Sequence, residues 1–67
     1  MKQLYLKVRL VIDSLKKKGF TVETCKPYKP SNGYILTVRT DKEIKINPLC
    51  NYRIERGKDI TTILLYE

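Results

Sequence analysis

Side chains that could carry out catalysis are few in this sequence, and their spacing does not bring them together. There is no histidine, and the two cysteines, Cys25 and Cys50, lie outside any CxxC motif. A nucleophilic cysteine requires an activating base or a lowered pKa, and the one basic residue adjacent to Cys25 is Lys26. The seven carboxylates are scattered through predicted turns and solvent-facing strand positions. The sequence therefore predicts a protein that is not an enzyme and that holds neither a metal nor a cofactor.

The excess of positive charge is the property of this sequence that most restricts the kinds of molecule it is expected to bind. Fourteen lysines and arginines against seven carboxylates give a formal net charge of +7 over 67 residues. Such an excess is typical of proteins that contact nucleic-acid phosphates, and a tyrosine between lysines can stack on a base. The candidate nucleic-acid contacts are Lys16, Lys17, Lys18, Lys26, Tyr28 and Lys29. The alternative is a solvated lysine-rich surface that serves solubility alone.

An amphipathic helix is predicted over residues 2–18. Apolar residues recur there at the i, i+3, i+4 spacing that builds one stripe, formed by Leu4, Val8, Val11, Ile12 and Leu15. Three lysines then occupy the last turn, where the negative end of the helix dipole favours cations, and Gly19 follows as the predicted stop. Leu6 and Leu10 fall roughly opposite the stripe, on the helix face that meets water.

Beyond Gly19 the apolar period changes to the alternation of β-strands. The predicted strands cover residues 20–26, 34–39, 43–47, 50–55 and 59–66. A loop rich in turn-forming residues, 26–33, separates the first two strands. The predicted fold class is α+β, with residues 1–67 as a single domain in which the N-terminal helix packs on a meandering antiparallel sheet of four to five strands.

Side-chain parity predicts which residues each strand turns toward the helix. If Ile54 shares a face with Ile60, the turn across residues 56–58 holds three residues, and the preceding turns likewise hold odd numbers. The predicted core face carries Phe20, Val22, Tyr34, Leu36, Val38, Ile44, Ile46, Tyr52, Ile54, Ile60 and Leu64. On this parity Ile63 and Leu65 point outward, so the last strand is apolar on both faces and needs a second cover.

A surplus of outward-facing apolar residues favours a protein-binding role. The candidate interface consists of Leu6, Leu10, Ile63 and Leu65. Exposed apolar patches mark interaction surfaces, and so small a chain can gain missing core from a partner. We expect a non-catalytic binding protein that acts through protein–protein contacts, as a homodimer and with an unidentified protein partner; nucleic-acid binding is the alternative. Because charges interrupt the first apolar stretch, we expect no membrane partner and a cytoplasmic location.

The general character of the sequence resembles that of short proteins encoded by phages and prophages of low-GC Gram-positive bacteria. The resemblance is carried by the start Met1-Lys-Gln, the abundance of lysine and isoleucine, and the single small domain. Viral proteins of AT-rich archaea share this character. The resemblance implies a host-interacting or DNA-associated accessory role, and it assigns no functional residue.

Overall fold

The computed structural model describes residues 2–67, with side chains from residue 4 onward. Its elements are helix α1 (Lys2–Lys17) and strands β1 (Thr21–Tyr28), β2 (Gly33–Arg39), β3 (Asn51–Arg56) and β4 (Ile60–Tyr66). A short 3-10 turn, Lys29–Ser31, links β1 to β2. The strands form one antiparallel sheet in the order β1-β2-β4-β3. The predicted α+β class is confirmed, because one helix packs on a four-stranded antiparallel sheet.

Helix α1 forms as predicted, and its apolar stripe becomes one wall of the core. The stripe residues that are at most 5% exposed are Leu4, Val8, Val11 and Leu15. Beyond the last turn, Phe20 N–H donates to the Leu15 carbonyl at 3.0 Å. Gly19 N–H donates to the Lys16 carbonyl at 3.0 Å, which completes a Schellman motif. Gly19 has a φ of 92°, a conformation that glycine accepts without a Cβ penalty, so it terminates the helix as predicted.

The connection between β2 and β3, residues 40–50, differs from the prediction. The predicted strand over residues 43–47 is wrong, because these residues belong to no strand of the sheet. Both β2 and β3 pair antiparallel with β4, so they run parallel to each other and their connection must return along the sheet. Residues 40–50, the crossover segment, return on the helix side, where Ile44 is 4% exposed and Ile46 packs against the core. The sheet is therefore two hairpins joined by a crossover, not a continuous meander.

The turn between β3 and β4 determines which face of β4 enters the core. Gly57 N–H donates to the Ile60 carbonyl at 2.7 Å, so the loop holds two residues, 58 and 59, and not the predicted three. Directly opposed residues of antiparallel strands share a face, so a change of one residue in the loop turns over every side chain of the next strand. Ile54 consequently lies opposite Ile63 and not beside Ile60.

The predicted orientation of β4 is therefore wrong. Ile63 and Leu65, expected to point outward, are 0% exposed and belong to the core cluster that includes the helix stripe. Thr61, on the same face, is 1% exposed. Ile60 and Leu64, expected inside, are half-buried on the opposite face of the sheet. The inner face of β4 is thus covered within one copy of the chain.

A β-bulge changes the parity of β1 in the same way. The register with β2 shifts between Val22 and Thr24, which leaves Glu23 without an opposite residue. Val22 faces the helix as predicted, but Thr24 lies on the other face of the sheet and Cys25 lies on the helix side. Glu23 accepts a hydrogen bond from Arg39 Nε at 2.6 Å, so the bulged residue forms an ion pair with the neighbouring strand.

Leu65→Ala should destabilise the protein by about 2–5 kcal/mol, because it removes a fully buried side chain and leaves a cavity. As a matched control, Leu6→Ala on the exposed face of α1 should change the free energy of unfolding by less than about 0.5 kcal/mol. Urea denaturation followed by circular dichroism measures both variants. Equally small effects of the two substitutions would mean that β4 turns Leu65 toward water.

Candidate binding surfaces

The residues predicted to form one nucleic-acid contact fall into two groups along β1. Residues 16–18 are at the C-terminal end of α1, close to the start of β1. Lys26, Tyr28 and Lys29 are at the far end of the same strand. At about 3.3 Å per residue, the eight residues of β1 separate its two ends by roughly 23 Å. The structure therefore does not bring the six predicted residues together on one surface.

A groove of about 360 Å³ lies between α1 and the crossover segment. Its apolar lining consists of Leu10, Val11, Ile46, Pro48 and Leu49. Its polar lining consists of Lys7, Ser14, Lys18 and Asn47. Lys18 Nζ donates to the Lys45 carbonyl at 3.1 Å, so the end of the helix is tied to the crossover segment beside the groove. Among the described residues that line the groove there is no carboxylate, so the charges it presents are positive.

Three leucines in and beside this groove are exposed. Leu10 is 59% exposed and Leu49 is 70% exposed, and both line the groove. Leu6, which is 61% exposed, lies one helical turn before Leu10 and extends the apolar surface along α1. The predicted exposure of Leu6 and Leu10 is confirmed. Sequence reasoning misses Leu49, because the pattern of residues 47–49 predicts a hairpin turn, where an exposed leucine is unremarkable.

The other half of the predicted interface is not a surface. Ile63 and Leu65 are 0% exposed, so neither can contact a partner unless β4 leaves the sheet. The two residues instead hold β4 against the helix layer. Of the four residues predicted to form the interface, Leu6 and Leu10 are accessible, and both lie on α1.

The face of the sheet that points away from α1 is mixed in character. One row runs across all four strands in the order Lys26, Ile35, Leu64 and Arg53. Ile35 and Leu64 are half-buried, and they contribute to a small cavity of about 110 Å³. Glu55 follows Arg53 on the same face of β3, so charges of both signs border this cavity. The mixture does not favour one class of ligand.

Neither cysteine has the properties of a nucleophile. Cys25 and Cys50 are free thiols. Partial burial raises the pKa of the Cys25 thiol, and the opposing effect of the Arg9 charge is smaller. Burial raises the pKa of Cys50 as well, with a smaller opposing effect from Lys7. Because the thiolate is the reactive form, both side chains are weak nucleophiles at neutral pH.

Neither a metal centre nor a membrane-spanning helix is found in the described part of the chain. Over residues 2–67 no group of three or more His, Cys, Asp or Glu side chains is placed to hold a metal ion. Within the same described part of the chain, α1 is too short and too polar to cross a bilayer. Comparisons of the chain with protein-family models, with curated proteins and with solved structures found no match.

The alkylation of Cys25 should depend on pH as expected for a thiol with a raised pKa. In a Cys50→Ser variant, the rate of reaction with iodoacetamide should reach half its maximum at a higher pH in the folded protein than in urea, because burial delays formation of the thiolate. Mass spectrometry across a pH series measures both rates. A lower midpoint in the folded protein would identify Cys25 as an activated thiol and contradict this account.

Proposed function

We propose that this protein is a non-catalytic binding module that holds an apolar, acidic segment of another protein in the groove between α1 and the crossover segment. The observation that carries the proposal is one groove that combines an apolar lining, exposed leucines and two lysines, with no carboxylate among its described lining residues. The function is thus protein–protein contact. The groove recognises a partner segment whose apolar side chains are flanked by carboxylates.

Covering the exposed leucines of the groove with a partner makes free energy available for binding. Leu10 and Leu49 are more than half exposed, although both border a concave surface. Full burial of a leucine side chain is worth about 1.5–3 kcal/mol relative to leaving it in water. An amphipathic helix or an extended segment that inserts one or two apolar side chains into the groove recovers part of that free energy.

The charge of the groove favours an acidic occupant. Lys7 and Lys18 line it, and no carboxylate is among the described residues of the lining; Glu67 lines the adjoining cavity, which shares Lys7 and Leu49. The whole chain carries a net charge of +7, which accelerates encounter with acidic proteins and slows encounter with basic ones. A second copy of the chain brings the same positive charge, so it is a poorer occupant of this groove than an acidic partner.

Nucleic acid is the alternative partner, and it has less support. Its expected contacts are divided between the two ends of β1, so they do not form one basic cluster. The two cysteines are not joined in a disulfide, which is consistent with the reducing cytoplasm as the place of action. An accessory role in a phage or its host, which the resemblance implies, fits a module whose chemistry is binding alone.

Selection of peptides from a random display library should test the groove directly. Peptides enriched on the wild-type protein should carry Leu, Phe or Met flanked by Asp and Glu, because the groove is apolar and positively charged. Leu10→Ser should weaken their binding at least about tenfold, measured by fluorescence anisotropy, because it removes a central apolar contact.

Leu6→Ser is the matched control for this experiment. Leu6 is on the same helix and has nearly the same exposure as Leu10, 61% against 59%, but it does not line the groove. It should therefore weaken binding by a smaller factor than Leu10→Ser. Enriched peptides without acidic residues, or peptides that bind the Leu10→Ser variant as tightly as wild type, would exclude the groove as the binding site.

A further inference from the structure

The two edges of the sheet are protected to different degrees. β1 carries Pro27, which cannot donate a backbone hydrogen bond, and the bulge at Glu23 interrupts its ladder. β3 has neither a proline nor a break in its register. An edge strand without such devices is a template for pairing with another strand, so β3 is the edge of this sheet that is open to a partner.

The free backbone groups of β3 can be identified from the turn that follows it. Gly57 donates to the Ile60 carbonyl, so this pair of residues is a hydrogen-bonded pair. Hydrogen-bonded and non-hydrogen-bonded pairs alternate along an antiparallel ladder, so the odd-numbered residues of β3 bond to β4. The outward-pointing N–H and C=O groups belong to Tyr52, Ile54 and Arg56.

We propose that two copies of this chain associate through antiparallel pairing of their β3 strands, with Ile54 on the two-fold axis. In this register the outward-pointing groups of one strand meet those of the other, and the two sheets join into one continuous sheet. Arg53 lies opposite Glu55 of the second copy, and Glu55 opposite Arg53 of the second copy. Both are non-hydrogen-bonded pairs, in which the side chains approach more closely.

The charges of β3 select this register over its neighbours. A two-fold axis at Arg53 places two arginines against each other, and an axis at Glu55 does the same with two glutamates; like charges directly opposed are destabilising. If the two-fold axis lies between two residues, the outward-pointing N–H and C=O groups of one strand stand opposite residues whose groups point inward. The two strands then cannot form backbone hydrogen bonds with each other. Ile54 is the axis position that pairs opposite charges and uses the free backbone groups.

Exposure and charge on β3 are consistent with this partner. Among the described residues the one ion pair is Arg39 with Glu23, so within one copy Arg53 and Glu55 form none. Tyr52, on the helix-facing side of β3, is 47% exposed and gains a neighbouring strand on pairing. Neither Arg53 nor Glu55 lines the groove beside α1, so the inference stands independently of the proposed function.

Charge reversal on β3 tests the proposal. The wild type should show a concentration-dependent monomer–dimer equilibrium in sedimentation experiments between about 10 µM and 1 mM, the range of a weak contact. Arg53→Glu and Glu55→Arg should each weaken the dimer about tenfold or more, because each opposes like charges twice. The double variant R53E/E55R should restore the wild-type dimer, and mixing the two single variants should yield a heterodimer by native mass spectrometry. Circular dichroism of each variant checks that the fold is retained.

Lys26→Glu on β1 is the matched control, because it changes the net charge by the same amount as Arg53→Glu at the other edge of the sheet. It lowers the overall repulsion between two basic chains and should leave the dimer unchanged or strengthen it. A wild type that stays monomeric throughout the concentration range overturns the proposal. So does a dimer that Arg53→Glu and Lys26→Glu affect equally, or one that R53E/E55R does not restore.

Discussion

The register of β4 is the constraint on which the rest of the structure depends. β4 pairs with β2 on one side and with β3 on the other, so it joins the two hairpins into one sheet. Its inner face, with Ile63 and Leu65 fully buried, occupies the centre of the core beneath α1. The hydrogen bond that closes the turn between Gly57 and Ile60 sets this orientation, because it leaves two residues in the loop. A loop of one residue more would turn Ile60 and Leu64 toward the helix in place of Ile63 and Leu65.

The crossover segment follows from that sheet order and creates the groove. Because β4 lies between β2 and β3, the chain must cross one face of the sheet to reach its far edge, and residues 40–50 cross on the helix side. Ile44 fills the part of the core that α1 leaves open, and the remainder of the segment lies beside the helix. Leu10 and Leu49 then face each other across a concave surface with no apolar cover. The groove therefore exists because α1 and the crossover segment lie side by side on the same face of the sheet.

The sequence predicts the local features of this fold well. The stripe of α1, the stop at Gly19 and four of the five predicted strands all depend on patterns of adjacent residues, and the structure contains each of them. The prediction of a strand over residues 43–47 is wrong because an alternating apolar pattern indicates only that one side of the segment is buried. Packing of Ile44 and Ile46 in the helix layer buries that side without a strand. Only the order of strands in the sheet distinguishes the two outcomes, and that order is set by long-range contacts.

The functional site was less accessible to sequence reasoning than the fold. Leu6 and Leu10 can be identified because helical periodicity is regular enough to assign an outer face. Ile63 and Leu65 cannot be assigned in this way, since the face of a strand depends on the length of a turn and loops of two and three residues are both common. Leu49 lies outside any helix or strand, so no periodic pattern assigns it to a face. The two surfaces that remain, the groove and the edge of β3, differ in charge, which is why we assign them to different partners.

The orientation of β4 can be measured by NMR through contacts between Hα protons, which are closest at the non-hydrogen-bonded pairs of an antiparallel ladder. The account predicts a cross-peak between the Hα protons of Ile54 and Ile63, which lie opposite each other. A cross-peak between Ile54 and Ile60 in its place would contradict it. That result would turn Ile63 and Leu65 away from the core and toward the surface.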